Sequence, residues 1–477
     1  MYLIELLRNW PCTVNGNWRD VVIRKVTEHP ARAEAGSLFV ARKGASYDGH
    51  HAINEAITNG ADAVVIDRPV SSAMISAWSA AGTAVITVPD SSRFLSFCAA
   101  ELAGNPSHDL KVIAVTGTNG KTTVTHFIGQ LLGGMGVPAA VIGTTGCYIG
   151  GERLDIDIPP LTTLTAEYLH PLLSECRARG VTHAALEASS IGLEKGRLTD
   201  CGIDIGILLN IGADHFEDHG GRSGYIAAKK LLCSLSDQMI VNEEDAVCME
   251  MTACCEVPVH RFSRDRFLDQ SIDGDTAARL PAGLHNRLNA MAAASAVRLL
   301  GFPAEAISRS LGSLTLPPGR LQLAEQYSRK VYIDYAHSPD ALEAVLKAVT
   351  GLNPRKLVCV FGCGGNRDRE KRPLMGKIAE QYCDHVIVTA DNPRDEDPAV
   401  IAQHILAGVE KPHRFTVELD RRKAIRQAVS MSEPDDIVII AGKGHEAVQI
   451  VNQDRFSLSD YSEAVAALDA IRSHTRT

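Results

Sequence analysis

The 477-residue sequence has no run of about 18 apolar residues, so nothing in it is built to cross a membrane as a helix. There is no CxxC pair among the 12 cysteines. Only Cys254-Cys255 and the pair Cys359 and Cys363 lie near each other, which removes the usual zinc-ligand spacings and leaves reduced thiols as the expectation. No block of Lys or Arg is present and the formal net charge is −9, so the footprint of a nucleic-acid-binding protein is missing. Anionic substrates would need local basic groups at their sites. The opening MYLIELLRNWPC carries no basic leader, long apolar core or small-residue cleavage site. A cytoplasmic protein without a signal peptide or membrane insertion is therefore expected. Internal repeats and low-complexity tracts are also absent.

What is present is ordinary globular composition, 45% apolar and 22% charged, enough for large cores. At about 150 residues per domain, three domains are expected. Short β-rich runs alternate with helical stretches, which implies α/β architecture with parallel sheets. The Gly-Asn-Pro-Ser link at 104–107 and Pro317-Pro318-Gly319 divide the chain into 1–107, 108–316 and 317–477. Expected strands are 37–41, 61–66 and 83–88 in the first segment, and 112–115, 139–142, 183–186, 205–209 and 239–241 in the second. In the third they are 331–333, 357–361, 386–388 and 437–440. An Ala-rich helix is expected near 288–300. The strands of the third segment are each followed by polar, Gly-rich or charged residues, and open α/β sheets bind ligands beyond the carboxyl ends of their strands.

The sharpest local signal is Gly117-Thr118-Asn119-Gly120-Lys121-Thr122-Thr123. A strand precedes it, and Val124, Phe127, Ile128, Leu131 and Leu132 follow at helical spacing. A glycine loop between strand and helix lets backbone N–H groups approach phosphates, and the helix N-terminus adds a positive dipole end. Lys121 would neutralise phosphate charge, and Thr122 would offer its hydroxyl to Mg²⁺. The spacing departs from the commonest phosphate loop, because Val115 stands where that loop has its first Gly.

This loop resembles that of the Mur ligases and their folylpolyglutamate synthetase cousins, and the resemblance extends over nearly the whole chain. Its further motifs are Glu187-Ala188-Ser189-Ser190, Asp214-His215 with His219-Gly220, and Tyr225-Ile226-Ala227-Ala228-Lys229. The third segment adds Asp334-Tyr335-Ala336-His337, Gly362-Cys363-Gly364-Gly365-Asn366-Arg367-Asp368, Asp391-Asn392-Pro393-Arg394 and Gly442-Lys443-Gly444-His445-Glu446. The family implies an N-terminal UDP-substrate domain, a central P-loop ATPase domain and a C-terminal Rossmann-like domain. Within it the likeness is to members that add meso-diaminopimelate to UDP-N-acetylmuramoyl-L-alanyl-D-glutamate in peptidoglycan synthesis. ATP converts the carboxylate to an acyl phosphate, which the amine then attacks. A monomer is expected.

Carried over residue by residue, the resemblance implies Gly117 to Thr123, Asn286, Arg320 and Asp334 for ATP. It implies Thr122 and Glu187 for one Mg²⁺, and His215 with a carbamylated Lys229 for a second. Lys121, Lys229 and His215 carry the catalytic roles. Thr162, Thr163, Ser189 and Arg197 would face the UDP-muramoyl dipeptide. Arg367, Asp391, Asn392, Arg394, Gly442 and Glu446 would hold diaminopimelate, with Arg394 clamping the distal carboxylate that lysine lacks and Glu446 meeting the distal ammonium. Lys230 is the neighbouring alternative to Lys229. Read without the resemblance, Lys229 is a solvated helix lysine and Arg394 a surface partner of Asp395, Glu396 or Asp397.

Four departures from the family pattern stand out. His29-Pro30-Ala31 replaces Asp-Ser-Arg, Ile191 replaces His, Ala213 replaces Arg, and Gln322 replaces Glu. Pro30 has neither hydroxyl nor N–H, so it cannot make the serine's uridine contact. Either other groups hold uridine, around Tyr47-Asp48-Gly49-His50, or the carboxylate substrate differs. A non-catalytic nucleotide-binding protein is a third reading, opposed by the intact Lys121, Glu187, His215 and Lys229. Folylpolyglutamate synthesis leaves Asp391 to Arg394 unexplained.

Overall fold

A computed structural model of the chain describes residues 1–44, 47–212, 216–326 and 328–474. His215, with Ala213 and Asp214, lies outside the described residues. Three main sheets follow one another along the chain, and a short hairpin joins Val448–Val451 to Asp454–Ser457.

The first sheet runs in the order Thr13–Asn15, Ala84–Thr87, Ala63–Ile66, Ser37–Val40, Lys25–Thr27. Only the Thr13–Asn15 edge is antiparallel. The second is ten-stranded. Its parallel centre is Val259–Ser263, Ser236–Asn242, Ile203–Leu208, Lys111–Thr116, His183–Glu187 and Ala139–Gly143, with short antiparallel strands at both edges. The third runs Gln322–Gln326, Arg329–Asp334, Ile437–Ala441, Leu357–Phe361, His385–Val388, Phe415–Val417, parallel after its first strand.

The continuous apolar runs follow from burial on both faces, as parallel sheets require. In Lys111–Thr116, Val112 and Ala114 enter one core while Ile113 and Val115 enter the other. In Leu357–Phe361, Leu357, Cys359 and Phe361 face one core and Val358 and Val360 the opposite one. The period of two is that of a pleated strand. All the expected strands are present, within three residues at their ends.

The helix Lys121–Gly134 buries Val124, Phe127, Ile128, Leu131 and Leu132 in one core with the helix Leu284–Leu299. The latter presents Ala290, Ala292, Ala293, Ala294 and Ala296, small enough for close helix approach. This packing fixes the glycine loop against the sheet. One expectation is corrected. Cys233 and Cys255 are joined as a disulfide across a sequence separation of 22, because the chain turns back through Ser236–Asn242 and Ala246–Thr252.

Candidate active site

The loop 117–120 joins the strand Lys111–Thr116 to the helix Lys121–Gly134. Gly120 has φ of 93°, and a Cβ there would collide with the Asn289 side chain, so only glycine fits. Lys121 folds over the loop and donates to the carbonyls of Gly117 at 2.8 Å and Thr118 at 3.0 Å. From the helix Arg222–Leu235, the Tyr225 hydroxyl meets Thr118 Oγ1 at 2.8 Å and Lys229 Nζ donates to Gly117 O at 2.9 Å. Lys229 is 2% exposed and lies on the buried face of this helix, whereas Lys230 is exposed.

A cavity of about 170 Å³ opens from the loop toward the third domain. Its lining includes Asn119, Gly120, Thr122, Asn286, Arg320 and Asp334, which gathers the expected nucleotide residues from two domains. Arg320 donates to Thr122 Oγ1 at 3.3 Å and lies 4.6 Å above the Tyr335 ring. Asp334 accepts from the Leu321 and Ala336 amides at 2.7 and 2.8 Å. Burial raises its carboxyl above the ordinary value, opposed by Arg320 and those amides. Asn286 donates to Ala282 O at 2.7 Å, so it braces its own helix start.

Beside the loop, Glu187 ends the strand His183–Glu187 and is 2% exposed. It accepts from the Thr144 amide at 2.8 Å and hydroxyl at 3.0 Å. The same hydroxyl lies 3.1 Å from Thr162 Oγ1, from which it can accept. Thr163 Oγ1 donates to Glu187 O at 2.8 Å and lies 3.0 Å from Ser189 Oγ. Ser189 caps the helix Ser190–Glu194 through Gly192 N, and Arg197 donates to Thr163 O at 2.6 Å. The four expected dipeptide-facing residues therefore form one cluster around Glu187.

In the third sheet, parallel register brings Asp334 level with Ala441 and Phe361 level with Val388. The motifs after those strands consequently meet. Asn392 Nδ2 donates to Glu446 Oε2 at 2.9 Å. A Cβ on Gly442, whose φ is 114°, would lie 2.6 Å from Asp391 Oδ2, so glycine is required for that approach. Arg394 donates to Gly365 O at 3.0 Å and Asn392 O at 3.3 Å. The surface-pair reading of Arg394 fails for Glu396, which is bound by Arg372 at 3.0 Å. Burial and the nearby Arg367 lower the Arg394 pKa, opposed by Asp391 and Glu446. Arg367 is exposed at the rim.

Three family descriptions match in order along the chain: "Mur ligase family, catalytic domain" over residues 31–102, "Mur ligase middle domain" over 115–297, and "Mur ligase, glutamate ligase domain" over 319–444. A UDP-N-acetylmuramoyl-L-alanyl-D-glutamate–2,6-diaminopimelate ligase of Syntrophomonas wolfei subsp. wolfei is 32% identical, covering 98% of this chain and 99% of that protein. One of the same name from Brucella melitensis biotype 1 is 37% identical over 95% and 96%. The chain belongs to the Mur ligase family. A solved structure of a ligase of that name superimposes with a TM-score of 0.65 at 30% identity, covering 99% of both chains.

In this Mur ligase Thr144, which holds Glu187, was not singled out from the sequence, because it acts through a contact between elements that no local pattern displays. Tyr225 and Lys443 stood inside quoted motifs without a role of their own; Tyr225 holds the loop and Lys443 the third-domain pocket. His445 packs against Tyr335 at a ring separation of 5.3 Å, and burial together with Arg320 lowers its pKa to about 4. Asp48 and His50 are occupied with each other at 2.9 Å, with Arg68 at 2.6 Å from Asp48 and Asp67 at 3.2 Å from His50. The departing segment His29-Pro30-Ala31 enters a short 3₁₀ turn, Pro30–Arg32. There His29 lies 3.5 Å from Glu167 of the central helix Ala166–Ala178. Gln322 accepts from Gly319 N at 2.8 Å.

Proposed function

We propose that the protein is an ATP-dependent, ADP-forming ligase that joins meso-diaminopimelate to UDP-N-acetylmuramoyl-L-alanyl-D-glutamate in peptidoglycan synthesis. The observation that carries this reading is the meeting of the Asp391–Arg394 and Gly442–Glu446 segments, with Arg394 and Glu446 within electrostatic reach of one another, in the same chain as the phosphate loop and the Glu187 cluster. An arginine for a distal carboxylate and a glutamate for a distal ammonium suit a diamino dicarboxylic acid better than lysine. We take the functional units as 1–107, 108–316 and 317–477, acting as a cytoplasmic monomer.

The chemistry follows from placement. The γ-phosphate passes to the glutamyl carboxylate, a transfer that needs positioning and charge neutralisation more than covalent help. In this reading Lys121 and the loop amides take the phosphates, with Arg320 beside Thr122, and Asn286 and Asp334, which line the cavity, take the nucleoside. Thr162, Thr163, Ser189 and Arg197 orient the acceptor. The amine held by the third domain then attacks the acyl carbon, and phosphate leaves with the bonding electrons.

Mg²⁺ fits the donors present: Glu187 is buried, each of its oxygens accepts one bond from Thr144, and a carboxylate has acceptor capacity left for a hard ion. Thr122 and Glu187 would hold one ion, and His215 with a carbamylated Lys229 a second. Such ions supply neutralisation of phosphate charge. A carbamate on Lys229 retains one N–H for the Gly117 carbonyl and turns a buried cation into an anion.

A second reading, a ligase taking a different carboxylate, is favoured only by His29-Pro30-Ala31. Phosphate release should be measured with ATP and the UDP-muramoyl dipeptide, offering meso-diaminopimelate, lysine or glutamate in parallel. Release with meso-diaminopimelate alone is expected. No turnover with it would sink the proposal, and turnover with lysine instead would overturn the role of Arg394.

A further inference from the structure

Lys443 is fully buried at the end of the strand Ile437–Ala441, between residues of the amino-acid pocket. Its Nζ donates to Val448 O at 2.7 Å, Glu446 Oε2 at 2.9 Å and Asn392 Oδ1 at 3.1 Å. An ammonium has three N–H donors, so all of them are spent within the protein and none is left for a ligand. Asn392 Oδ1 also accepts from the Ile450 amide at 2.9 Å, while its Nδ2 donates to Glu446 Oε2 at 2.9 Å. The carboxamide is thereby fixed end for end. The strand Val448–Val451 is tied to the same place, because Gln449 donates to Asp391 O at 2.7 Å and Arg394 N donates to Ile450 O at 3.1 Å.

Two consequences follow for charge. Among the described residues both side-chain bonds to Glu446 fall on Oε2, leaving Oε1 for a ligand's distal ammonium. Burial alone would raise the Glu446 carboxyl, but Lys443 and Asn392 outweigh it and hold it below its ordinary value. Lys443 and Glu446 together form a nearly neutral pair at 2.9 Å. Arg394 and, at the rim, Arg367 add two further cations against the one further carboxylate of Asp391, so Lys443, Arg394 and Arg367 outnumber Glu446 and Asp391 by one charge. The pocket therefore attracts a carboxylate more strongly than a bare ammonium.

We propose that Lys443 is a positioning residue that sets amine specificity: by masking Glu446 and locking Asn392, it makes the pocket favour a diamino dicarboxylate over a diamino monocarboxylate. This rests on the proposed function above. Removing the Lys443 charge unmasks Glu446, which would then draw a lone ammonium into the pocket.

The test is Lys443→Met, with Lys443→Gln beside it, in the full-length enzyme. KM and kcat are measured for meso-diaminopimelate and for lysine, and KM for ATP. The expected result is a fall of about tenfold or more in the preference for meso-diaminopimelate over lysine, with KM for ATP within about twofold of wild type, a size ordinary for one altered polar contact in a specificity pocket. If the Met variant no longer binds ATP and so has not folded, the Gln variant, which keeps two donors without the charge, decides the matter. An unchanged preference overturns the proposal, including the case where both amines lose activity equally, because that is the mark of a merely structural lysine. Wild-type enzyme that uses neither amine refutes the functional reading and this inference with it. Wild-type turnover with unaltered preference in both variants refutes the inference alone.

Discussion

Arg421 and Asp460 are both fully buried and form a two-pronged pair, Nε and Nη2 each 2.7 Å from a carboxylate oxygen. Arg421 also donates to Ala441 O at 3.0 Å and Ala390 O at 3.3 Å, the residues just before Gly442 and Asp391. Asp460→Asn keeps the shape and removes the charge, leaving a guanidinium buried without its counter-ion. Breaking a buried pair this way costs about 3–5 kcal/mol, whereas replacing both partners by apolar groups is far milder. Against a typical total of roughly 5–15 kcal/mol that is a large loss. With a urea dependence of about 1–3 kcal/mol per molar, the midpoint of the third domain should fall by roughly 2 M. The probe matters, because the three tryptophans, Trp10, Trp18 and Trp78, all lie in the first domain. Far-ultraviolet circular dichroism sees the third domain; tryptophan fluorescence does not. KM for the amine should also rise, since Asp391 and Gly442 lose their anchor. The double variant Arg421→Met/Asp460→Leu should recover part of the midpoint, short of wild type because two carbonyls lose a donor, about 1–3 kcal/mol each at most. A shift under about 0.5 M in Asp460→Asn, or a double variant worse than the single one, would refute the reasoning.

Lys229→Ala should lose activity by about 100-fold or more, as expected for a residue placed at the transferring phosphate, and regain part of it with added short carboxylates. Full activity in that variant would remove the carbamate. Burial lowers His170 and His285 to about 4, so both stay neutral in the folded chain while the unfolded chain binds their protons from about pH 6.5 downward. Their contribution to stability is whole above that pH and is lost as the pH falls toward 4. Both ring nitrogens of His170 are buried without a hydrogen-bond partner among the described residues, so His170→Phe should flatten the decline in melting temperature between pH 6.5 and 4. An unchanged slope would show that His170 does not drive it.

Much of the fold is legible because parallel strands buried on both faces read as unbroken apolar runs. Leu357–Phe361 and Ile437–Ala441 are examples. Edge strands such as Thr13–Asn15 and Glu152–Arg153 carry exposed polar residues and short lengths, so no local pattern marks them. The phosphate loop is legible for a related reason. Its glycines, lysine and threonines are contiguous, and the flanking strand and helix announce themselves by their own periods.

The amino-acid sequence by itself determined the chemistry-bearing residue types: a loop able to hold phosphates, a carboxylate at Glu187, and the arginine and glutamate of the third domain. Tertiary structure alone decided which of these groups meet, and in what state of charge. Lys229 is buried against the loop because it shares a helix face with Tyr225. Arg320 reaches Thr122 across 198 positions of sequence. Glu446 is masked by Lys443 because two strand ends converge with a hairpin. Sequence specifies donors, acceptors and periodicity locally, whereas burial and pairing are set by contacts between distant segments, and those exist only once the sheets have formed.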